Sequence, residues 1–328
     1  MTRSRADGDP SVGVLLVGAG RIAVPHAEAL AGSDAGHLVA VTDPLQDAAV
    51  DLADRFGARP ATNLEEGLAD PDVDAVIVCA PTAAHERITL AAIAAGKHVL
   101  VEKPLADGIP GATRMIKAAA DADVHVMAAQ IVRFLPLFTW AKAFVDEGRL
   151  GRPLQFIERR LVHRREHYPW WDELPNFLVA HWGSHSVDLL CHLLDDTPVR
   201  AYCEAESVSP DYDVVDDFNL HLRLAAGTRA GFHMSFTSRA TMHDMILVGE
   251  EHTLAFDCYA SVAVDGEVAL EMPQEEMLRV GFDQQLAHFL AVVDGTAVPR
   301  SAAASVLPSL RGLAAAEESI RTAAAVTL

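Results

Sequence analysis

The chain has 328 residues, of which 50% are hydrophobic and 22% are charged, a composition typical of a folded protein with enough residues for two domains. Its 46 acidic residues exceed its 26 basic ones, so the formal net charge is −20 at pH 7. A field of this sign repels phosphate backbones and anionic lipids, which argues against nucleic acid and membrane surfaces as partners.

The targeting and cysteine patterns favour the cytoplasm. No apolar run approaches the roughly 20 residues of a membrane span. The opening MTRSRADGDP lacks the apolar stretch of a signal peptide, and we interpret it as a frayed tail. The cysteines form no CxxC pair that would indicate a redox motif or a zinc site. We expect all four to be small buried hydrophobic residues: Cys79, Cys191, Cys203 and Cys258.

Short β-branched runs alternate with helical stretches over residues 1–128. The runs lack the alternation of a half-solvated strand, which predicts a parallel sheet covered on both faces. This βαβ succession predicts an N-terminal doubly wound α/β domain. The predicted strands are 12–17, 38–42, 75–79, 99–102 and 124–128. The helix-end signals are 44–56 closed by Gly57, 84–95 closed by Gly96, and a capping box of Thr62 with Glu65.

Residues 129–328 have a different pattern, in which strands follow one another over short connections. This pattern predicts a C-terminal α+β domain with a mostly antiparallel sheet. The predicted strands are 154–162, 199–208, 218–224, 230–236, 245–248 and 253–256. The predicted helices are 136–147, about 181–194, 284–293 and 306–324.

A glycine-rich turn, GAGRIA, directly follows the first predicted strand and opens a helix. Gly18 and Gly20 let the backbone approach a pyrophosphate that helix N–H groups bind, and we place Arg21 and Ile22 in the same contact surface. The pattern alone is weak, because a tight strand-to-helix turn has the same sequence. Its position after a buried strand favours a dinucleotide site.

Asp43 ends the second predicted strand, 25 residues after Gly18. This is near the spacing expected for a carboxylate that binds the ribose hydroxyls. It is also a candidate N-cap for the helix that Pro44 would start, and both roles can hold together. A carboxylate repels a 2'-phosphate, so NAD is favoured over NADP, although Arg21 nearby softens that preference.

Residues 76–106, VIVCAPTAAHERITLAAIAAGKHVLVEKPLA, resemble the Gfo/Idh/MocA oxidoreductases, with Glu102-Lys103-Pro104 as the specific signature. The likeness continues through RF at 133–134, Pro136, GRLG at 148–151, HWGSHSVDLL at 181–190, VGE at 248–250 and residues 285–295. The resemblance implies a Rossmann domain followed by an open, mostly antiparallel sheet. It also implies a sugar, inositol or related polyol as substrate, and a homodimer or homotetramer formed through that sheet.

The resemblance also implies site residues. Lys103 would lie beside the nicotinamide and contact the reacting hydroxyl. The family segment D-x-G-x-H-x-x-D reads HWGSHSVD here, so His185 and Asp188 match, whereas His181 stands where the family often has aspartate. We assign proton transfer to Lys103 and His185, with His181 as a further catalytic and substrate-binding candidate. The remaining cofactor contacts implied are Ala80, Pro81, Thr82, His85 and Glu102.

A loop rich in histidine, arginine and tryptophan precedes this segment. Tyr168 and Trp171 are candidate substrate contacts because their flat rings suit a sugar, although aromatic residues more often pack against their own domain. The neighbouring arginines suit a carboxylate or phosphate, and a charged surface loop explains them equally well.

Three alternatives remain open at this point. A metal-dependent lyase or isomerase would use one helical face carrying His181, His185, Asp188 and His192. A binding module would sense NAD or a sugar without turnover. An elimination or epimerisation would return the hydride, with no net redox change.

Overall fold

The computed structural model describes residues 11–164, 176–210 and 213–328. The chain forms two compact units. The first unit contains the chain up to Ile131 together with Arg279–Ser305, and the second contains Val132–Leu278 and Val306–Leu328. The predicted domain boundary at residue 128 does not anticipate the return of Arg279–Ser305 to the first unit.

The first unit contains a six-stranded parallel sheet in the order β3-β2-β1-β4-β5-β6. The order reverses direction between β1 and β4, which is the arrangement of a doubly wound fold. The predicted parallel α/β domain is therefore confirmed. The strands are β1 (Val12–Val17), β2 (Gly36–Thr42), β3 (Arg59–Pro60), β4 (Ala75–Val78), β5 (His98–Val101) and β6 (Val126–Ala128).

The helices of this unit connect successive strands. They are α1 (Ala23–Ala31), α2 (Gln46–Phe56), α3 (Leu64–Ala69), α4 (Thr82–Ala94) and α5 (Ile109–Ala122). Gly57 closes α2 with a φ of 70°, in the left-handed region that favours glycine, as predicted. The predicted capping box is displaced by one residue: the Asn63 side chain accepts the Glu66 N–H, and the Glu66 carboxylate accepts the Thr62 N–H.

The second unit contains a nine-stranded sheet in the order β14-β13-β12-β11-β7-β10-β9-β8-β15. Neighbouring strands are antiparallel except β7 and β10, so the predicted mostly antiparallel sheet is confirmed. The strands are β7 (Pro153–His163), β8 (Pro198–Glu206), β9 (Asp217–Leu224), β10 (Arg229–Ser235), β11 (Thr237–Gly249), β12 (Thr253–Asp257), β13 (Ser261–Val264), β14 (Glu267–Glu271) and β15 (Val326–Thr327).

The remaining helices are α6 (Pro136–Asp146), α7 (Phe177–His181), α8 (Gly183–Leu194), α9 (Gln274–Val293) and α10 (Leu307–Thr322), with short 3-10 turns at Ile131–Phe134 and Ala303–Val306. The helix predicted from about residue 181 to residue 194 is confirmed as α8, which begins at Gly183 and is separated from the short α7 by the single residue Trp182. The Arg160 guanidinium lies 4.0 Å from the Trp182 ring centroid, and the Phe236 ring meets the same indole edge-on at 4.5 Å. These contacts hold the Trp182 side chain at the junction of α7 and α8.

Apolar alternation gives the second sheet its core. In β9 and β10 every second side chain is buried, and Phe156 and Phe232 pack with their ring centroids 5.7 Å apart. Burying each such ring contributes about 1.5–3 kcal/mol.

Within the described ranges of the chain, no helix has both the length and the apolar character needed to cross a membrane.

Candidate cofactor and proton-transfer sites

The glycine turn after β1 combines one tightly packed glycine with one open glycine. Gly18 has a φ of 98°, and a Cβ at this position would lie 2.7 Å from the carbonyl carbon and oxygen of Cys79. A Cβ at Gly20 would meet no heavy atom within 4 Å. Close packing therefore requires Gly18, whereas Gly20 leaves open space before the first turn of α1. These residues fit the pyrophosphate of a dinucleotide.

Asp43 supports this turn from the end of β2. Its Oδ2 accepts the Ala19 N–H at 2.8 Å, and its Oδ1 accepts the Leu45 N–H at 2.8 Å. The helix α2 begins at Gln46 with Leu45 as its N-cap, so the prediction that Asp43 caps this helix is wrong. An ionised carboxylate has about four acceptor positions, so each oxygen can still accept a ribose hydroxyl.

His85 links the end of β4 to the loop after β5. Its Nε2 lies 2.8 Å from the carbonyl oxygen of Ala80, and its Nδ1 lies 2.8 Å from that of Pro104. Burial lowers the pKa of His85, although both carbonyl oxygens favour its protonated form. A neutral imidazole donates one hydrogen bond, so the ring serves one carbonyl at a time. Direct contacts of His85, Ala80, Pro81 and Thr82 with the cofactor stay predictions.

Glu102 fixes the backbone at Lys103. Its Oε1 lies 2.9 Å from His26 Nε2, and its Oε2 accepts the Lys103 N–H at 3.1 Å. Glu102 is 7% exposed and His26 is 1% exposed, so this contact is shielded from water. The His26 ring also meets the Phe282 ring edge-on at 5.3 Å. Lys103, which is half-buried, thus leaves the carboxyl end of β5 from a braced position.

In the second unit, a buried ion pair anchors α8. Arg133 Nε donates to Asp188 Oδ2 at 2.8 Å, and Arg133 Nη2 donates to Asp188 Oδ1 at 2.6 Å. Ser309 Oγ also donates to Oδ1, at 3.3 Å. Asp188 follows half-buried His185 by one helical turn, so the pair fixes the part of α8 that carries His185.

The predicted histidine face spans the junction of α7 and α8. His181 ends α7, whereas His185 and His192 lie in α8, and both oxygens of Asp188 bind Arg133. Among the described residues, no group of three or more His, Cys, Asp or Glu side chains is placed to hold a metal ion. This geometry opposes the metal-dependent alternative. Tyr168 and Trp171 lie outside the described residues, and their substrate contacts stay predictions.

Sequence reasoning missed His26 and the partner of Asp188. No local pattern signals either contact, because His26 is 76 residues from Glu102 and Arg133 is 55 residues from Asp188. The one signal that the sequence carries is a polar residue at a position where the fold buries the side chain. A buried charge requires a partner, so such a residue indicates that one exists.

The strand order and the glycine turn define a Rossmann-type dinucleotide-binding protein. Residues 12–130 match the family profile described as an oxidoreductase family with an NAD-binding Rossmann fold, and residues 138–255 match the Gfo/Idh/MocA C-terminal domain. The chain belongs to the Gfo/Idh/MocA oxidoreductase family, and its N-terminal unit is an NAD-binding Rossmann domain.

Two curated relatives and one solved structure illustrate the similarity. Inositol 2-dehydrogenase of Acidothermus cellulolyticus is 31% identical over 97% of this chain and 95% of its own. The 4-carboxy-2-hydroxymuconate-6-semialdehyde dehydrogenase of Sphingobium sp. is 25% identical over 92% of this chain and 96% of its own. The structure of GenD2 from gentamicin A biosynthesis, in complex with NAD, is 25% identical with a TM-score of 0.86, over 100% of this chain and 99% of its own.

Proposed function

We propose that the protein is an NAD-dependent dehydrogenase that interconverts a secondary alcohol and a ketone on a sugar, inositol or related polyol. The similarity to an inositol 2-dehydrogenase over nearly the full length of both chains supports this substrate class. The observation that carries the proposal is the placement of Lys103. It is the second residue after β5, and its backbone is held by a buried carboxylate at the edge where doubly wound sheets bind ligands.

The protein residues have separate roles in this proposal. The chemistry that NAD supplies when bound is acceptance of a hydride from the alcohol carbon. Lys103 Nζ contacts the reacting hydroxyl oxygen and takes part with His185 in the transfer of its proton. A ring nitrogen of His185 accepts the hydroxyl proton in the oxidation direction and returns it in the reduction direction. His181 assists in binding the substrate hydroxyls.

The Arg133–Asp188 pair supports the role of His185 without contacting substrate. It fixes α8 one turn beyond the histidine, which limits the positions that the imidazole can take. Restricting a catalytic group in this way raises the rate because misplacement by about 1 Å can cost on the order of 100-fold.

Asp43 supports NAD over NADP. Its carboxylate stands at the end of β2, where each oxygen already accepts a backbone N–H and can accept a ribose hydroxyl as well. A 2'-phosphate at the same position would meet a negative charge.

The test is a dehydrogenase assay on purified protein with NAD and, separately, NADP. A panel of inositols, sugars and sugar acids is screened by the absorbance of the reduced nicotinamide. We expect turnover with NAD on a polyol and a loss of at least about 100-fold in kcat for Lys103→Met. Lys117→Met, at an exposed lysine of the same unit, is the matched control and keeps full activity. Failure to bind NAD in calorimetry, or full activity of Lys103→Met, would refute the proposal.

We also propose that copies of the chain associate through the second-unit sheet into a homodimer or homotetramer. The alternation in β9 and β10 leaves one face of these strands only partly covered in the single chain. Light scattering on the purified protein should give the mass of two or four chains, and a monomer at micromolar concentration would contradict this.

The four free cysteines support a reducing compartment, and we propose the cytoplasm. Fractionation of cells that express the tagged protein should recover it with cytoplasmic markers. Recovery with an oxidising compartment would contradict the proposal.

A further inference from the structure

A thiol, an imidazole and a carboxylate form a cluster in the second unit, and the proposed dehydrogenase reaction uses none of them. The three residues are Cys258, His243 and Glu158, and we call them the thiol cluster. Among the residues that the structure describes, Arg160 and Tyr259 also face it. The proposal below is independent of the proposed function.

The register of the sheet places the cluster on one face. His243 of β11 pairs with Arg160 of β7, and Glu158 lies two residues before Arg160 and therefore points to the same face. On the other side of β11, the Cys258 N–H donates to the His243 carbonyl at 2.7 Å, which extends the β11–β12 ladder by one residue. The strands thus hold the three side chains side by side.

The contacts follow the order thiol, imidazole, carboxylate. Cys258 Sγ lies 3.3 Å from His243 Nδ1, and His243 Nε2 lies 3.3 Å from Glu158 Oε1. The side chains of His243 and Glu158 are 8% and 2% exposed, whereas Cys258 is only partly buried. Glu158 is close enough to His243 for an ion pair, and a thiol beside a histidine with a carboxylate on its far side is similar to the arrangement of an activated cysteine nucleophile.

Electrostatics in the cluster favour the charged pair. Burial opposes ionisation of both groups and is the largest single effect, but the hydrogen bond between them, together with further hydrogen bonds and neighbouring charges, outweighs it. The pKa of Cys258 is therefore lowered, and the pKa of His243 is raised. Glu158 contributes to the rise at His243, and the Arg160 charge contributes to the lowering at Cys258. Both shifts increase the fraction of thiolate opposite an imidazolium at neutral pH.

The other cysteines provide the internal contrast. Cys79, Cys191 and Cys203 are buried, and burial raises the pKa of each thiol, to about 12 in the case of Cys203. The prediction of small buried residues is confirmed for these three. The same prediction is wrong for Cys258, which is partly exposed and lies within hydrogen-bond distance of an imidazole.

The backbone at Cys258 is also unusual. Its φ is 51°, a left-handed conformation that costs a residue other than glycine roughly 1 kcal/mol or more. This conformation directly follows β12 and turns the chain at the point where the thiol meets His243. Strained residues of this kind cluster at functional positions.

We infer that Cys258 is a reactive thiolate that exchanges with low-molecular-weight disulfides, and that His243 and Glu158 are its positioning residues. The Cys258 sulfur attacks one sulfur of the disulfide, the S–S bond breaks, and the other sulfur leaves with the bonding electrons. The His243 imidazolium can then give its proton to the departing thiolate. The products are a mixed disulfide at Cys258 and one free thiol, so the disulfide itself is the oxidant.

Exchange suits this cluster better than acyl transfer does. Exchange requires one sulfur to reach the thiolate, whereas acyl transfer also requires donors aimed at an oxyanion. The positive charges of Arg160 and the imidazolium favour an anionic partner, such as a disulfide that carries carboxylates.

The test uses the intact folded protein with oxidised glutathione at pH 7, followed by intact mass and peptide mapping. We expect one glutathione adduct per chain, located at Cys258 and absent from Cys258→Ser. The rate of alkylation by iodoacetamide, followed against pH, should show an apparent pKa below the value of about 8.5 for a free thiol. An adduct on another cysteine, or no adduct until the protein is unfolded, would overturn the inference.

Variants of His243 and Glu158 distinguish two explanations for a reactive thiol: activation by these residues, and solvent exposure of Cys258 alone. His243→Asn should slow alkylation at pH 7 by at least about fivefold and move the pH profile upward, and Glu158→Gln should act in the same direction. His221→Asn, on β9 of the same sheet, is the matched control and should leave the rate unchanged. Circular dichroism confirms that each variant is folded. A pH profile identical in His243→Asn, Glu158→Gln and the unmodified protein would overturn the role of both residues.

Discussion

The buried Arg133–Asp188 pair should dominate the stability of the second unit. Arg133 is 3% exposed and Asp188 is fully buried, and two hydrogen bonds of 2.8 and 2.6 Å join them. Asp188→Asn removes the negative charge that faces the buried guanidinium of Arg133. Truncating one partner of a buried pair costs about 3–5 kcal/mol, a large part of the roughly 5–15 kcal/mol that stabilises a typical protein.

A double variant tests the physical reason. Replacing both partners, as in Arg133→Met with Asp188→Leu, removes both desolvation costs together with the attraction. The outcome for such pairs ranges from about neutral to a gain of a few kcal/mol. The exposed pair Arg152–Glu250 is the matched control, with side chains 64% and 45% exposed, and Glu250→Gln should cost no more than about 1 kcal/mol.

Urea unfolding followed by circular dichroism measures these differences. We expect a large loss for Asp188→Asn, recovery in the double variant, and little change for Glu250→Gln. The reasoning fails if Asp188→Asn costs less than about 1 kcal/mol, or if the double variant is as unstable as the sum of its two single variants.

The first unit allows three further predictions. Gly18→Ala should destabilise the protein by about 1–3 kcal/mol because its Cβ meets backbone, whereas Gly20→Ala should leave urea stability nearly unchanged and weaken NAD binding in calorimetry. Asp43→Ala should weaken NAD binding by about tenfold and reduce its preference over NADP, and an unchanged preference would contradict the ribose role. Because burial lowers the pKa of His85, the unfolded chain binds a proton below about pH 6.5 that the folded chain does not. The free energy of unfolding should therefore decrease as the pH is lowered below about 6.5, by at most about 1.4 kcal/mol per pH unit. His85→Gln should flatten this slope, whereas His37→Gln, at an exposed histidine, should not.

The parallel sheet could be predicted from sequence because its strands are buried on both faces. Such strands form continuous apolar runs, and Val12–Val17 is buried at every position. Short edge strands lack this signal, and Arg59–Pro60 and Val326–Thr327 were not predicted. The start of α2 differs from the prediction for a local reason: the Asp43 carboxylate accepts the Ala19 N–H across the glycine turn, and Leu45 is the N-cap of α2 instead.

The candidate site divides in the same way. Local motifs identify Gly18, Gly20 and Lys103, because a turn and a strand end constrain neighbouring residues in the sequence. The groups that brace them come from distant segments, as His26 does for Glu102. Hydropathy patterns treat a buried arginine or histidine as a surface residue, so its partner becomes visible only when the fold joins the segments.

The cysteines show why residue type alone does not predict chemistry. Cys203 and Cys258 have similar positions in the same sheet: Cys203 lies on β8, and Cys258 directly follows β12. Cys203 is enclosed, and its backbone N–H binds the Ser319 hydroxyl, so burial sets its thiol chemistry. The Cys258 thiol contacts His243 of β11, and Glu158 of β7 lies on the other side of this imidazole. The strand register joins β7 and β11, whose paired residues Arg159 and Asp244 are 85 residues apart, and it therefore determines which thiol has a lowered pKa. A register shift of one residue would move His243 to the opposite face of the sheet.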